Sequence, residues 1–186
     1  MTEFMPASAL GKETPVSLEA LFADDAAFRV WYDAALPRVF RYLYHRCGRN
    51  NEVAEELTQQ AFVEAVKSRR GFAGDDSTAW LIGIARHRLI DHFRHLERRE
   101  RGLVRFFAFQ QPQVVWLGEA DADDRLAAAL AQLPAAQRAA VVLRYLDDLP
   151  VREVARLMSR TEKSVESLLS RGRESLRRIY GGIEDE

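Results

Sequence analysis

At 186 residues the chain has room for one large or two small domains. Its single cysteine, Cys47, excludes an internal disulfide framework and fits a reducing cytoplasm. No apolar run approaches the roughly 20 residues needed to span a bilayer, and residues 1–25 lack the basic start and apolar core of a signal peptide, so no direct membrane insertion is expected. A net charge of −1 speaks, as an average, against a polyanionic ligand, but the distribution reverses that. Arg86, Arg88, Arg94, Arg98, Arg99, Arg101 and Arg105 crowd one stretch against only Asp91, Glu97 and Glu100. Acid gathers elsewhere, in 119–124, at Asp147 and Asp148, and in 184–186. Two basic stretches separated by an acidic one predict two separate contacts with a polyanion.

Residues 1–24 read as a loose extension. A helix is predicted from Asp25 to about Gly48, where Trp31, Leu36, Val39, Phe40, Leu43 and Tyr44 mostly follow the helical period, with Pro37 marking a kink or a break. Asn50 and Asn51 can cap the next helix, 52–69, whose buried face is Val53, Leu57, Ala61, Phe62, Ala65 and Val66 and whose outer face carries Glu55, Glu56, Gln59, Gln60 and Glu64. The Gly- and Asp-rich stretch 71–77 is a loop. A longer helix follows with Trp80, Leu81, Ile84, Ala85, Leu89 (or Arg88), Ile90 and Phe93 inward. The pattern decays after about Arg101. The stretch 104–117 is too apolar for an ordinary linker and has no clear period: it packs on a flanking domain, lies in a partner's groove or forms a short strand, and the favoured reading is a linker with sticky anchors. Helices resume near Asp123 with Leu126, Leu130 and Leu133, stop at Pro134, and restart over 137–146. The result is an all-α chain: extension 1–24, helical domain 25–100, linker 101–122, smaller helical domain 123–180 and acidic tail 181–186.

The smaller domain ends in a helix-turn-helix pattern. Val151, Val154, Ala155 and Met158 fall at i, i+3, i+4 and i+7 and make one apolar stripe. A polar break, 159–162, follows, with Thr161 placed to cap the second helix. That helix repeats the period with Val165, Leu168, Leu169, Gly172 and Leu176, and shows Lys163, Glu166, Ser167, Ser170, Arg171, Arg173, Arg177 and Arg178 on the other side. Two short helices, the second offering Arg and Ser outward, suit a major groove.

Together these segments resemble a bacterial RNA polymerase sigma factor of the extracytoplasmic-function (ECF) group of the sigma-70 family. The stretch Ala54-Glu55-Glu56-Leu57-Thr58-Gln59-Gln60-Ala61-Phe62 is similar to that family's region 2 signature. Residues 79–87, running on to Asp91-His92-Phe93-Arg94, are similar to its promoter-melting segment, with His87 in place of the usual Asn. Leu133-Pro134, Leu143-Arg144-Tyr145, Glu153-Val154-Ala155, and Ser164-Val165 through Arg171-Gly172-Arg173 match region 4 in order and spacing.

The resemblance implies an alternative sigma factor, not an enzyme and without a cofactor or metal, acting in the cytoplasm with core RNA polymerase and promoter DNA. The polymerase contacts would be the clamp helices of the largest subunit and the flap region, and an anti-sigma factor would be a further partner. Glu55, Glu56, Gln59 and Gln60 would face the polymerase, while Leu57 and Phe62 hold their helix to its own domain. Arg86, His87, Arg88, Asp91 and Arg94 would meet the melted −10 element, the arginines on phosphates. A flipped base would sit in a pocket built partly by the 71–77 loop. Trp80 is the obvious stacking residue, but its place in the period favours core. Arg160, Thr161, Lys163, Glu166, Ser167, Ser170, Arg171 and Arg173 would face the −35 element. Glu166 and Leu168 stand where the family more often carries cations, which predicts weaker intrinsic DNA affinity.

Other classes compete. A helix-turn-helix alone fits a conventional transcription regulator with a helical sensing or dimerisation domain. Such a domain has no need of the second Arg-rich segment. His87, His92 and His95 cluster in sequence, but no cysteine pair or Glu completes a convincing zinc site. No Gly-rich phosphate loop or nucleophile arrangement appears.

Overall fold

The computed structural model describes residues 18–68, 70, 72, 76–104 and 122–184. Its elements in chain order are α1 (Leu18–Ala23), α2 (Asp25–Arg46), α3 (Asn51–Ser68), α4 (Ser77–Val104), α5 (Ala122–Gln132), α6 (Ala135–Val141), a π-helical turn (Val142–Leu146), α7 (Val151–Met158) and α8 (Glu162–Glu184). Among the described residues there is no strand. The apolar linker stretch 105–121 lies outside the described residues.

Local chemistry sets the helix starts. Asp24 accepts from the Ala26 and Ala27 amides, Asn50 from Val53, Asp76 from Thr78 and Ala79, and Thr161 from Ser164, each satisfying donors that the first turn leaves free. Helix α2 closes on a left-handed Gly48 (φ +69°), where an added Cβ would come within 3.1 Å of the Ala127 carbonyl oxygen on α5. Pro37 neither breaks nor ends α2, which continues to Arg46. The proline lies on the exposed side, as does Asp33, whose carbonyl the proline deprives of its helical donor.

In the larger half, α2, α3 and α4 pack around Ala35, Val39, Leu43, Leu57, Ala61, Phe62, Leu81, Leu89 and Phe93. Leu89, not Arg88, takes the inward position on α4. Val66 is 38% exposed, against the expected buried face of α3, and Ala54 and Thr58 take that place. The threonine hydroxyl is satisfied inside the helix by the Ala54 carbonyl (2.6 Å). The end of the N-terminal extension forms α1, whose Phe22 sits 5.2 Å from Phe28 and 5.5 Å from Trp31. That aromatic group continues through Trp31 and Tyr32 to Phe62, and the Trp31 indole donates to Ser77 Oγ (2.9 Å).

In the smaller half, Leu130, Leu133, Ala139, Val142, Leu143, Val154, Leu157, Val165, Leu168 and Leu169 form the core between α5, α6, α7 and α8. Burying each such aliphatic side chain stabilises by about 1.5–3 kcal/mol before entropy is counted. Leu168 is 5% exposed, as its spacing from Val165 requires. Gly172 is needed for close approach: a Cβ there would meet Val141 Cγ2 at 2.8 Å. Helix α4 runs beyond residue 100 to Val104, and α8 runs into the acidic tail as far as Glu184, so both helices overshoot the boundaries expected from sequence.

The two halves pack on each other. Helix α4 lies against α6 and α7, and the helix ends meet through polar side chains.

Candidate functional site

The outer face of α3 is built by elimination. With Ala54, Leu57, Thr58, Ala61, Phe62 and Ala65 buried, the period leaves Glu55, Glu56, Gln59 and Gln60 exposed side by side. Asn51 Nδ2 donates to Glu55 Oε1 (2.6 Å) and Gln60 Nε2 to Glu56 Oε1 (3.0 Å), so the carboxylates are held along the helix face. Beside them is a groove of about 400 Å³ between α2 and α3, lined by Tyr32, Leu36, Pro37, Phe40, Thr58 and Gln59 as well as Glu55. The contribution of α2 to this surface was not foreseen. Pro37 was its available signal, since a proline kept in a helix lies on an outward face.

The α4 residues expected at the downstream promoter element do not form one patch. Arg86 turns toward the smaller half, where its Nε donates to Asp147 Oδ2 (3.1 Å). Arg88 points across the helix to Glu64 Oε2 on α3 (3.1 Å). Arg94 donates to the Leu157 carbonyl (2.8 Å) and to Ser159 Oγ (2.9 Å), while its other nitrogen reaches Asp91 Oδ1 (3.2 Å). His87 and Asp91 are exposed, and the His87 ring nitrogen Nδ1 lies 2.8 Å from the Gly83 carbonyl oxygen. Trp80 is half-buried and stands edge-on to Phe72, 5.4 Å between ring centres. Most of the 71–77 loop, and so the expected base pocket, lies outside the described residues.

On α8, Lys163, Glu166, Ser167, Ser170, Arg171 and Arg173 are all exposed, with Thr161 just ahead of the first turn. Arg171 Nε reaches back to the Ser167 carbonyl (3.3 Å). Arg160 is different: it is bound to Glu97 of α4, which also holds Arg101. The histidines do not converge on a ligand site. His92 is half-buried among Arg138 of α6, Glu56 of α3 and His95, and burial followed by Arg138 lowers its pKa. Among the described residues no group of His, Cys, Asp or Glu is arranged to hold a metal ion. Cys47 is buried, which pushes its thiol up to about 12 and keeps it protonated.

The unforeseen feature is Asp147. Its carboxylate, 1% exposed, accepts at Oδ1 from Arg46 (Nε 2.7 Å, Nη2 2.6 Å) and at Oδ2 from the Tyr42 hydroxyl (2.9 Å) and Arg86. Arg46 also donates to the Leu146 carbonyl (2.9 Å), and its guanidinium lies 3.8 Å above the Tyr42 ring. Burial and the neighbouring Asp147 raise the Tyr42 hydroxyl to about 12, so it remains a donor.

One helical half thus carries an acidic–amide face and the other a helix-turn-helix. Residues 31–99 match the family model for Sigma-70 region 2, and residues 123–176 match that for Sigma-70, region 4. The chain belongs to that family and, within it, to the ECF group. It is 31% identical over 159 residues to the ECF RNA polymerase sigma factor BldN of Streptomyces coelicolor, a match covering 82% of this chain and 60% of BldN. It is 27% identical over 173 residues to the ECF RNA polymerase sigma factor SigX of Bacillus subtilis, covering 87% of this chain and 88% of SigX. The sigma factor RpoE from Bartonella quintana, solved with the anti-sigma factor NepR, shares the fold with a TM-score of 0.52 at 23% identity, over 83% of this chain and 96% of that one. No helix among the described residues is long and apolar enough to cross a membrane.

Proposed function

We propose that this chain binds core RNA polymerase and directs it to promoters, with α3 as the polymerase-docking face, α4 at the −10 element and α8 at the −35 element. The observation that carries the reading is the exposed row Glu55, Glu56, Gln59 and Gln60 beside an apolar groove. Carboxylates flanking an apolar strip suit a helical partner that is basic along one edge, as the polymerase clamp helices are in this family. The flap region would meet the smaller half. Arg86, Arg88 and Arg94 of α4 would contact phosphates by exchanging their present partners for them, while Arg171, Arg173, Ser167 and Ser170 read the upstream duplex. Catalysis belongs to the polymerase. The setting is the cytoplasm, where core polymerase and DNA are found. An anti-sigma factor, of the kind bound to the Bartonella relative, would compete for the α2–α3 groove.

Charge reversal tests the docking face. The pair Glu55→Lys with Glu56→Lys should leave the helical spectrum and thermal midpoint unchanged and abolish co-elution with core polymerase. Undiminished co-elution would rule this face out.

A further inference from the structure

Within the larger half, Trp31 joins α1, α2, α3 and α4. Its ring lies 5.5 Å from Phe22 of α1, 5.8 Å from Phe28 of its own helix and 5.6 Å from Phe62 of α3, measured between ring centres. Phe22 and Phe62 meet it edge-on, the arrangement that the aromatic quadrupole favours. Its indole Nε1 donates to the hydroxyl of Ser77, the first residue of α4, at 2.9 Å and 46 residues away in sequence. The match to Sigma-70 region 2 begins at residue 31, so Phe22 and Phe28 lie ahead of it.

Helix capping does not account for the Ser77 hydroxyl. Asp76 Oδ1 accepts from the Thr78 and Ala79 amides (2.9 and 2.8 Å), so the first turn of α4 is capped without it. The hydroxyl accepts instead from Trp31, whose half-buried N–H is a donor only and needs such a partner. The start of α4 is thereby fixed twice, by Asp76 within its own turn and by Trp31 from α2. Trp80 stands one turn on, at i+3 from Ser77, and Phe72 meets it edge-on at 5.4 Å. Phe62, on the other side of Trp31, belongs to the helix whose outer face is assigned to the polymerase. A displacement of Ser77 therefore moves the Trp80 end of α4 relative to the docking helix.

We infer that Trp31 is a positioning residue for promoter opening: through Ser77 it sets where the first turns of α4 stand against α3, so that the docked chain presents them to the unpaired strand in one register. Trp31 acts through Ser77 and touches no nucleic acid itself. This rests on the assignment of α4 to the −10 element, which the parent chain tests separately in the same experiment.

The test uses the full chain assembled with core polymerase. Trp31→Phe keeps an aromatic ring and removes the donor, Ser77→Ala removes the acceptor, and Ser77→Thr keeps it. Three affinities are measured: for core polymerase, for duplex carrying the −35 element alone, and for a single-stranded oligonucleotide of the nontemplate strand spanning the −10 element of a mapped promoter. Trp31→Phe and Ser77→Ala should each weaken oligonucleotide binding about fivefold, as loss of one hydrogen bond allows. Initiation from the duplex promoter should fall with it, while the other two affinities stay at the parent's values. The double variant should be no weaker than either single one, because both remove the same bond. Ser77→Thr should match the parent. The two serine variants decide the matter even if Trp31→Phe does not fold.

Oligonucleotide binding unchanged in Ser77→Ala would overturn the inference, as would a Ser77→Thr chain as weak as Ser77→Ala. Losses that multiply in the double variant would show that the two side chains act independently, which also refutes it. Equal losses in all three affinities would reduce Trp31 to a support of the fold. If the parent holoenzyme itself does not bind the oligonucleotide, the assignment of α4 to the −10 element falls, and the inference with it.

Discussion

At the scale of single residues, Glu166 and His92 change chemistry without changing fold. Glu166 is exposed on α8 between Lys163 and Ser170, where a carboxylate repels phosphate but can accept from a cytosine amine. Glu166→Lys should therefore tighten binding to duplex DNA and steepen its salt dependence by about one phosphate's worth, about 0.9 in slope. Fluorescence anisotropy across a salt series measures both, and equal affinity at every salt would refute the idea. His92 acts through its protonation, since burial and Arg138, aided by His95, hold its pKa below 6.5 against the opposing pull of Glu56. Above that value the ring is neutral folded or unfolded, and pH has no leverage through it. As pH falls below 6.5 the unfolded chain takes up a proton that the folded chain resists, so stability declines until the folded pKa is passed. Urea midpoints at about pH 7.5 and about pH 5.5 should show a smaller acid loss for His92→Gln than for the parent. An identical loss in both would exclude His92 as a contributor.

At the scale of elements, the apolar periods were legible because each helix buries one stripe against neighbours of the same kind. Val154, Ala155, Met158, Val165, Leu168 and Leu169 occupy the core as their spacing required. Thr161 caps α8 because a hydroxyl before a helix has a free amide to accept from. The errors have physical causes. Of the kink or break that Pro37 offered, the break does not occur, as α2 runs on through an exposed proline, and Val66 is exposed because α3 turns Ala54 and Thr58 inward instead. Gly172 looked like one more member of the apolar stripe, whereas its role is the absence of a side chain. Gly172→Ala gains about 1 kcal/mol of helix propensity but drives a methyl into Val141 Cγ2, an overpacking cost of about 1–3 kcal/mol. A net loss of about 1 kcal/mol in denaturant unfolding is expected, and a gain would show that α6 and α8 separate easily.

At the scale of the whole molecule, the sequence disclosed the two halves but not how they meet. Asp147 lies 105 residues from Tyr42, 101 from Arg46 and 61 from Arg86, and no local pattern links residues so far apart. Sequence reading placed Arg86 and Arg94 on a cationic surface by composition. In the folded chain each is already paired, so composition registered the charge and not its partner. The exposed face of α3, by contrast, could be read from one helix alone, because burial of the opposite stripe decides it.

The central claim is that this chain guides core polymerase to promoters. The most direct measurement is transcription in vitro on genomic DNA with purified core polymerase, with and without the chain, mapping the 5′ ends. Adding the chain should give a discrete set of new start sites sharing two upstream sequence elements, lost with the Glu55→Lys, Glu56→Lys pair. Start sites unchanged by addition of the chain would contradict it.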